Sequence, residues 1–185
     1  MAMYTNPSGE YTNEETQYMK YIKDHISRVK KSFDERGPML QRVMNLTHEE
    51  MSDLAARVAK HDDSKFSNEE FPQYRNWFYP AENEMKNDSD FAKAWEHHYK
   101  TNDHHPEYWV VNGVANEMSR VAVAEMILDW EAMSRTFGGN PRSWYATSKS
   151  KFVFNPKTEF LVDRALNILY REDDNLKEYR NPIIG

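Results

Sequence analysis

The chain has 185 residues, with 24 basic and 30 acidic side chains and a formal net charge of −6. It contains no cysteine, which excludes disulfides, thiolate metal sites and a cysteine nucleophile. The mean hydropathy of −0.93 and the lack of an apolar run near 18 residues argue against a membrane span. The Lys and Arg residues form no dense block, so duplex nucleic acid is not expected as a partner.

This length favours a single domain with a true hydrophobic core. We expect one domain over residues 13–175, between a flexible tail at 1–12 and a polar tail at 176–185. The polar and acidic start of the chain lacks the basic and apolar regions of an export signal, so we expect a cytoplasmic protein.

The first predicted helix begins near Asn13, whose side chain is expected to cap it, and ends at Gly37 and Pro38. One apolar stripe runs along this helix at spacings of three and four residues: Met19, Ile22, Ile26, Val29 and Phe33. His25 falls on the edge of this stripe, so its side chain is expected to face the core.

The second predicted helix begins at a capping box formed by Thr47 and Glu50. Its apolar face consists of Met51, Leu54, Ala55 and Val58. The same spacing continues to His61 and Asp62, so the buried face is expected to end in two side chains that can bind a metal.

Further helices are predicted over residues 67–79, 88–99, 117–135, 142–149 and 156–171, and the best strand candidate is 152–154. His98 lies on the apolar face of the helix over 88–99, whereas His97 points inward less clearly. A loop after it carries His104 and His105. In the helix over 117–135, Asp129 lies on a stripe of apolar residues.

These polar residues on apolar faces indicate a metal site. A lone core histidine is usually satisfied by hydrogen bonds, Asp62 could cap a helix, and Asp129 could pair with Arg120 or Arg135. Burying five such groups together, however, costs several kcal/mol each unless they are paired or bind a cation. The five are His25, His61, Asp62, His98 and Asp129.

The order His25, His61-Asp62, Asp129 resembles the H…HD…D signature of the HD-domain superfamily of metal-dependent phosphohydrolases. The separations, 36 residues from His25 to His61 and 67 from Asp62 to Asp129, are similar to those of its short bacterial 5′-deoxynucleotidases. The stretches HDDSKF, HHYKTNDHHPEYW and EMILDWEAM also resemble small uncharacterised phage and bacterial proteins. The resemblance implies an all-α, HD-domain-like bundle of about six to seven helices, in a bacterium or a phage-infected host.

The donor set suits one or two divalent ions, with Mn, Fe, Co, Ni, Zn and Mg all left open. One ion would be bound by His25, His61, Asp62 and Asp129. A second would be bound by Asp62 as a bridge, His98 and one of His104 and His105.

Other residues are expected to handle the substrate. Lys65 follows the HD pair by three residues, as in the HD-x-x-K form of the superfamily's cyclic-dinucleotide phosphodiesterases, although the chain lacks their GYP tripeptide. Catalytic roles are predicted for Asp62, Lys65 and His97, and substrate contacts for Lys65, Tyr99 and Tyr108. Glu69 and Glu70 are expected to be exposed.

The resemblance implies a phosphohydrolase that acts on a nucleotide or related phosphoester through a metal-activated water. One alternative is a mixed-valent di-iron oxygenase of the HD-like fold, whose ligands follow H…HD…H…H…D. Another is a non-catalytic binding protein stabilised by metal. The expected partner is a small molecule, with a homodimer possible and with no membrane or duplex nucleic acid.

Overall fold

A computed structural model describes residues 2–170 of the protein. These residues contain seven α-helices, and the predicted apolar stripes lie on helices. The helices are α1 Asn13–Met44, α2 His48–Val58, α3 Phe71–Phe78, α4 Asp88–Thr101, α5 Arg120–Phe137, α6 Pro141–Ser148 and α7 Pro156–Leu169. Short 3-10 turns cover Asp63–Phe66, Pro106–Trp109 and Lys149–Lys151. The prediction of an all-α helical bundle is confirmed. Residues 176–185, predicted to be a polar tail, lie outside the described residues.

The first helix differs from its prediction at both ends. Thr12, rather than Asn13, is the N-cap, and it forms a capping box with Glu15. The helix also continues through Gly37 and Pro38, where it was predicted to end. An internal proline removes one backbone hydrogen bond, but the last two turns of α1 bury apolar side chains that offset this loss. These side chains are Leu40, Val43 and Met44.

The core consists of two groups of buried side chains that meet along α1. The larger group joins α1, α2, α5, α6 and α7, and α5 is buried on almost every face. The smaller group joins the start of α1 to α3 and α4. On α1, Ile22 belongs to the smaller group and Val29 to the larger, so His25 lies where the two groups adjoin.

A β-hairpin forms in a stretch where no strand is predicted from the sequence. Strands β1 (Val110–Val111) and β2 (Val114–Ala115) pair antiparallel around Asn112 and Gly113, which both have positive φ. Asn-Gly is the preferred pair for this two-residue turn, so the signal was present. The predicted strand over 152–154 is wrong, since this stretch forms neither helix nor strand.

The N-terminal segment, expected to be a flexible tail, contacts the bundle. The amide of Tyr4 donates a hydrogen bond to the carbonyl of Phe66 at 2.7 Å, and its ring stacks on Phe71 at 4.6 Å. The hydroxyl of Tyr4 also donates to the buried Glu15 carboxylate. Among residues 2–170, no helix has both the length and the apolar character needed to cross a membrane.

A buried carboxylate joins the far ends of three helices. Glu131 on α5 is 5 % exposed and accepts hydrogen bonds from Arg36 of α1 (3.1 Å), Arg135 (2.7 Å) and the hydroxyl of Tyr170 after α7 (2.7 Å). Glu35 pairs with the same Arg135 but is 46 % exposed. The two carboxylates therefore share a partner and differ in burial.

We expect Glu131→Ala to lower the free energy of unfolding by about 3 kcal/mol, because it leaves the buried hydroxyl of Tyr170 and two partly buried arginines without their carboxylate partner. Glu35→Ala should cost no more than about 1 kcal/mol, since exposed ion pairs contribute little. Urea denaturation followed by circular dichroism measures both. Equal losses in the two variants would contradict this account of the helix junction.

Candidate metal centre

The HD pair lies in a turn and not on a helix. α2 ends at Val58, and the chain then turns so that His61 and Asp62 are only 1 % and 2 % exposed. Asp62 has a φ of 57°, in the left-handed region that aspartate tolerates better than most residues, and a 3-10 turn begins immediately after it. The prediction that these residues are buried is confirmed, and the prediction that they continue the helix is wrong.

Four further segments bring the remaining predicted ligands to the same place. His25 comes from α1, His98 from α4 and Asp129 from α5, while His104 and His105 come from the loop before the second 3-10 turn. All seven predicted metal ligands therefore belong to one cluster. We call it the histidine–aspartate cluster: His25, His61, Asp62, His98, His104, His105 and Asp129.

The first half of the cluster combines two imidazoles with two carboxylates. Nε2 of His25 lies 3.1 Å from Oδ1 of Asp129 and 3.5 Å from Oδ2 of Asp62. Nε2 of His61 lies 3.6 Å from the same Asp62 oxygen and 3.8 Å from the same Asp129 oxygen. These spacings suit four ligands around one ion with bonds near 2 Å.

The second half faces the other oxygen of Asp62. Oδ1 of Asp62 is 3.4 Å from Nε2 of His98 and 3.5 Å from Nε2 of His104. Nε2 of His105 lies 2.9 Å from Nε2 of His98, so its ring points to the same place. Asp62 thus offers one oxygen to each half, as a bridging carboxylate would.

Besides Nδ1 of His25, three buried polar atoms in the cluster have no hydrogen-bond partner among the described residues. They are Nε2 of His61, Nε2 of His104 and Oδ1 of Asp62. Leaving such atoms unpaired costs about 1–3 kcal/mol each. All three face the centre of the cluster, so one or two bound divalent cations would satisfy them together. The residues present therefore fit a metal.

An ordinary ion pair does not explain Asp129. The two arginines proposed as its partners are both engaged elsewhere: Arg120 pairs with Glu50, and Arg135 pairs with Glu35 and Glu131. Asp129 instead faces His25. Its side chain is 16 % exposed, whereas those of His25, His61 and the other deeply buried ligands are at most 2 % exposed.

The charges within the cluster depend on one another. Burial lowers the pKa of His61, but the surrounding carboxylates of Asp62, Asp129 and Glu125 outweigh it and raise that pKa to about 10. Burial raises the pKa values of Asp62 and Asp129, yet the neighbouring imidazoles hold both well below the usual range. The two aspartates therefore stay ionised and ready to bind a cation.

Two glutamates that the sequence analysis missed hold the histidine rings from behind. Oε1 of Glu125 on α5 lies 2.9 Å from Nδ1 of His61 and 3.4 Å from Nδ1 of His104. Glu125 precedes Asp129 by four residues and so shares its helix face; the helical phase contained this signal. Such outer carboxylates fix the tautomer that presents Nε2 to a metal.

Glu70 is the second outer carboxylate, and the expectation that it is exposed is wrong. It is completely buried, with Oε2 2.9 Å from Nδ1 of His98 and Oε1 2.7 Å from Nδ1 of His97. His97 is 31 % exposed and lies outside the cluster. The structure therefore gives His97 a contact to a supporting carboxylate rather than to the metal ligands.

Lys65, predicted to contact the substrate, pairs with Asp62. Its Nζ lies 2.7 Å from Oδ2 of Asp62, and its side chain is 21 % exposed. Although burial lowers its pKa, Asp62 raises it above the usual range, so the side chain stays cationic. Lys65 therefore brings a positive charge to the bridging carboxylate.

The aromatic side chains predicted to contact a substrate pack on other rings. The ring centroids of Tyr99 and Trp95 are 5.9 Å apart, and those of Tyr108 and Trp109 are 5.5 Å apart. Tyr108 is 45 % exposed. Trp95, which the sequence analysis did not select, lies 5.1 Å from the ring of His105. The aromatic rings next to the cluster are thus Trp95 of α4 and Tyr74 of α3, whose ring centroid lies 6.0 Å from that of His98.

The sequence matches the profile of a family of unknown function, DUF5662, over residues 14–171. The chain belongs to this family, and the matched range contains every residue of the histidine–aspartate cluster. No curated protein and no solved structure matches it significantly.

We expect Glu125→Gln to weaken divalent-metal binding about 10- to 100-fold, because a neutral amide oxygen accepts weaker hydrogen bonds from the two imidazoles than the charged carboxylate does. Calorimetric titration of chelator-treated protein with Mn²⁺ or Co²⁺ measures the change. Glu117→Gln is the matched control, since Glu117 is 54 % exposed and pairs with Lys157. Wild-type affinity in Glu125→Gln would contradict the supporting role of this carboxylate.

Proposed function

For this member of the DUF5662 family we propose a divalent-metal-dependent phosphohydrolase that acts on a nucleotide or a related phosphoester. The observation that carries the proposal is the bridging position of Asp62. One of its oxygens faces His25 and His61, and the other faces His98 and His104. Two-metal hydrolytic sites use such a shared carboxylate to hold the ions close together.

A bound divalent ion would lower the pKa of a coordinated water and offset charge on the phosphoryl oxygens. The chain's own residues position the ligands for this chemistry. Glu125 and Glu70 accept hydrogen bonds from Nδ1 of the ligand histidines, which leaves the Nε2 lone pairs directed into the cluster. The resemblance to the HD-domain superfamily supports the choice of a phosphoester as substrate.

Lys65 supplies the positive charge that a phosphoryl group requires. Its ammonium group contacts Asp62 and is partly exposed, so it lies between the buried ligands and solvent. A cation at this position can bind a phosphoryl oxygen and stabilise the charge that develops during cleavage. This contact favours phosphoester hydrolysis over a purely structural metal site.

We expect the purified protein with Mn²⁺, Co²⁺ or Mg²⁺ to hydrolyse at least one member of a panel of mono-, tri- and cyclic nucleotides, giving phosphate, pyrophosphate or, from a cyclic nucleotide, a nucleoside monophosphate. Asp62→Asn should abolish the activity, because it removes the charge shared by both halves of the cluster. Asparagine also tolerates the left-handed backbone of this position, so the fold should be retained. Phosphate is measured colorimetrically, with and without added pyrophosphatase, and nucleoside monophosphates are measured by chromatography.

Asp63→Asn is the matched control for this panel, because Asp63 is adjacent in the chain but exposed. It should retain wild-type activity. Metal-loaded wild-type protein that hydrolyses no compound of the panel would contradict the proposed function. So would equal activity in the Asp62 and Asp63 variants, which would indicate a contaminating enzyme.

We expect Lys65→Ala to lower kcat/KM about 100-fold while the metal content is unchanged, because the lysine stabilises the phosphoryl group and is not a ligand. Lys60→Ala is the control, since Lys60 is an exposed lysine five residues earlier. Steady-state kinetics and elemental analysis provide the two readouts. A loss of bound metal in Lys65→Ala would instead assign the lysine to the assembly of the site.

A di-iron oxygenase is the second candidate, because the ligand order H…HD…H…H…D is matched by residues that lie in one cluster. These residues are His25, His61, Asp62, His98, His104 and Asp129. Two irons per chain, a mixed-valence spectrum and substrate-dependent oxygen uptake would support this candidate over hydrolysis. A large fall in Tm on chelation, without turnover of either kind, would support the third candidate, a metal-stabilised binding protein.

A further inference from the structure

We propose that the two halves of the histidine–aspartate cluster are chemically different metal positions. In this proposal both His104 and His105 bind the second ion, so that its position offers three imidazoles and one carboxylate oxygen and takes Zn²⁺. The first position offers two imidazoles and two carboxylates and takes Mn²⁺. The inference rests on the proposed metal centre but not on the reaction it carries out.

The tautomer of His98 is fixed by its outer partner. Nδ1 of His98 lies 2.9 Å from the Glu70 carboxylate, which can only accept a hydrogen bond. Nδ1 therefore carries the proton, and Nε2 presents a lone pair toward the cluster. The 2.9 Å contact between the Nε2 atoms of His98 and His105 thus involves at least one unprotonated nitrogen.

The position of His105 is that of a ligand. Nitrogens bound at about 2.1 Å to one tetrahedral ion lie about 3.4 Å apart, so the two rings, now 2.9 Å apart, need to separate by only about 0.5 Å for both to bind it. A hydrogen bond from His105 to His98 would leave Nε2 of His104 and Oδ1 of Asp62 without partners. One ion bound by all four side chains satisfies every one of these atoms, and their ligand atoms lie within 4.8 Å of one another.

The two donor sets favour different metals. Imidazole suits Zn²⁺ and other late divalent ions, whereas carboxylate and water suit Mn²⁺ and Mg²⁺. The first position receives two carboxylates, from Asp62 and Asp129, whereas the second has only the shared Asp62 oxygen. Zinc supplied in limiting amount should therefore occupy the second position and leave the first to manganese.

The test uses the full chain, stripped by a chelator and then loaded with one equivalent of Zn²⁺ and an excess of Mn²⁺. After removal of free metal, we expect one zinc and one manganese per chain by elemental analysis. The electron paramagnetic resonance spectrum should be that of isolated Mn²⁺ ions, because zinc is diamagnetic. A spectrum of exchange-coupled manganese pairs would overturn the proposal, since it would mean that zinc fills both positions of some molecules.

Two variants assign the positions independently of that spectrum. His105→Gln should lower zinc affinity about 10- to 100-fold and leave manganese binding at the first position. Asp129→Asn should do the reverse, losing manganese and retaining zinc. His48→Gln is the control, because His48 is exposed at the start of α2.

Wild-type zinc affinity in His105→Gln would overturn the proposal. If that variant fails to fold, the wild-type spectrum and Asp129→Asn still decide the matter. The outcome is separable from the proposed function. A protein that binds zinc and manganese as described but hydrolyses no phosphoester would contradict only the proposed function, while an active protein with equivalent positions would contradict only this inference.

Discussion

The burial of the Asp62 carboxylate is the constraint on which the rest of the structure depends. A charged group that is 2 % exposed must be compensated, and each of its oxygens faces a different set of side chains. Among the described residues, Lys65 is the only lysine or arginine that pairs with it, and it reaches one oxygen and leaves the other without a hydrogen-bond partner. The fold therefore converges on this carboxylate from five segments, and four of them contribute histidines.

The loop that carries His104 and His105 has no long helix to hold it, and it is fastened instead by polar contacts to its neighbours. Arg57 of α2 pairs with Asp103, which directly precedes His104 in the chain. Nη1 of Arg57 also lies 3.4 Å from Oε2 of Glu125 on α5. The indole of Trp109 also donates to the carbonyl of Asp103 at 2.6 Å. The same carboxylate of Glu125 thus orients His104 and contacts the arginine that holds its loop.

Helical periodicity predicted most of the cluster because burial, rather than the helix itself, selects the residues. His25 and Asp129 lie on helices in the structure, so their helical phase was sufficient to predict that they face the cluster. His61 and Asp62 were found although α2 ends three residues before them, because the turn that follows also directs them inward. The burial of Glu70 could not be predicted from periodicity, since this residue precedes α3 among turns that have no regular period. The end of α1 was mispredicted for a related reason: the rule that proline ends a helix is local, whereas the burial of the residues that follow Pro38 is tertiary.

The outer carboxylates show the same dependence on tertiary structure. Glu125 contacts one histidine from each half of the cluster, whereas Glu70 contacts a ligand of the second half only. The two halves therefore share two carboxylates: Asp62 lies between them, and Glu125 contacts one imidazole of each from outside.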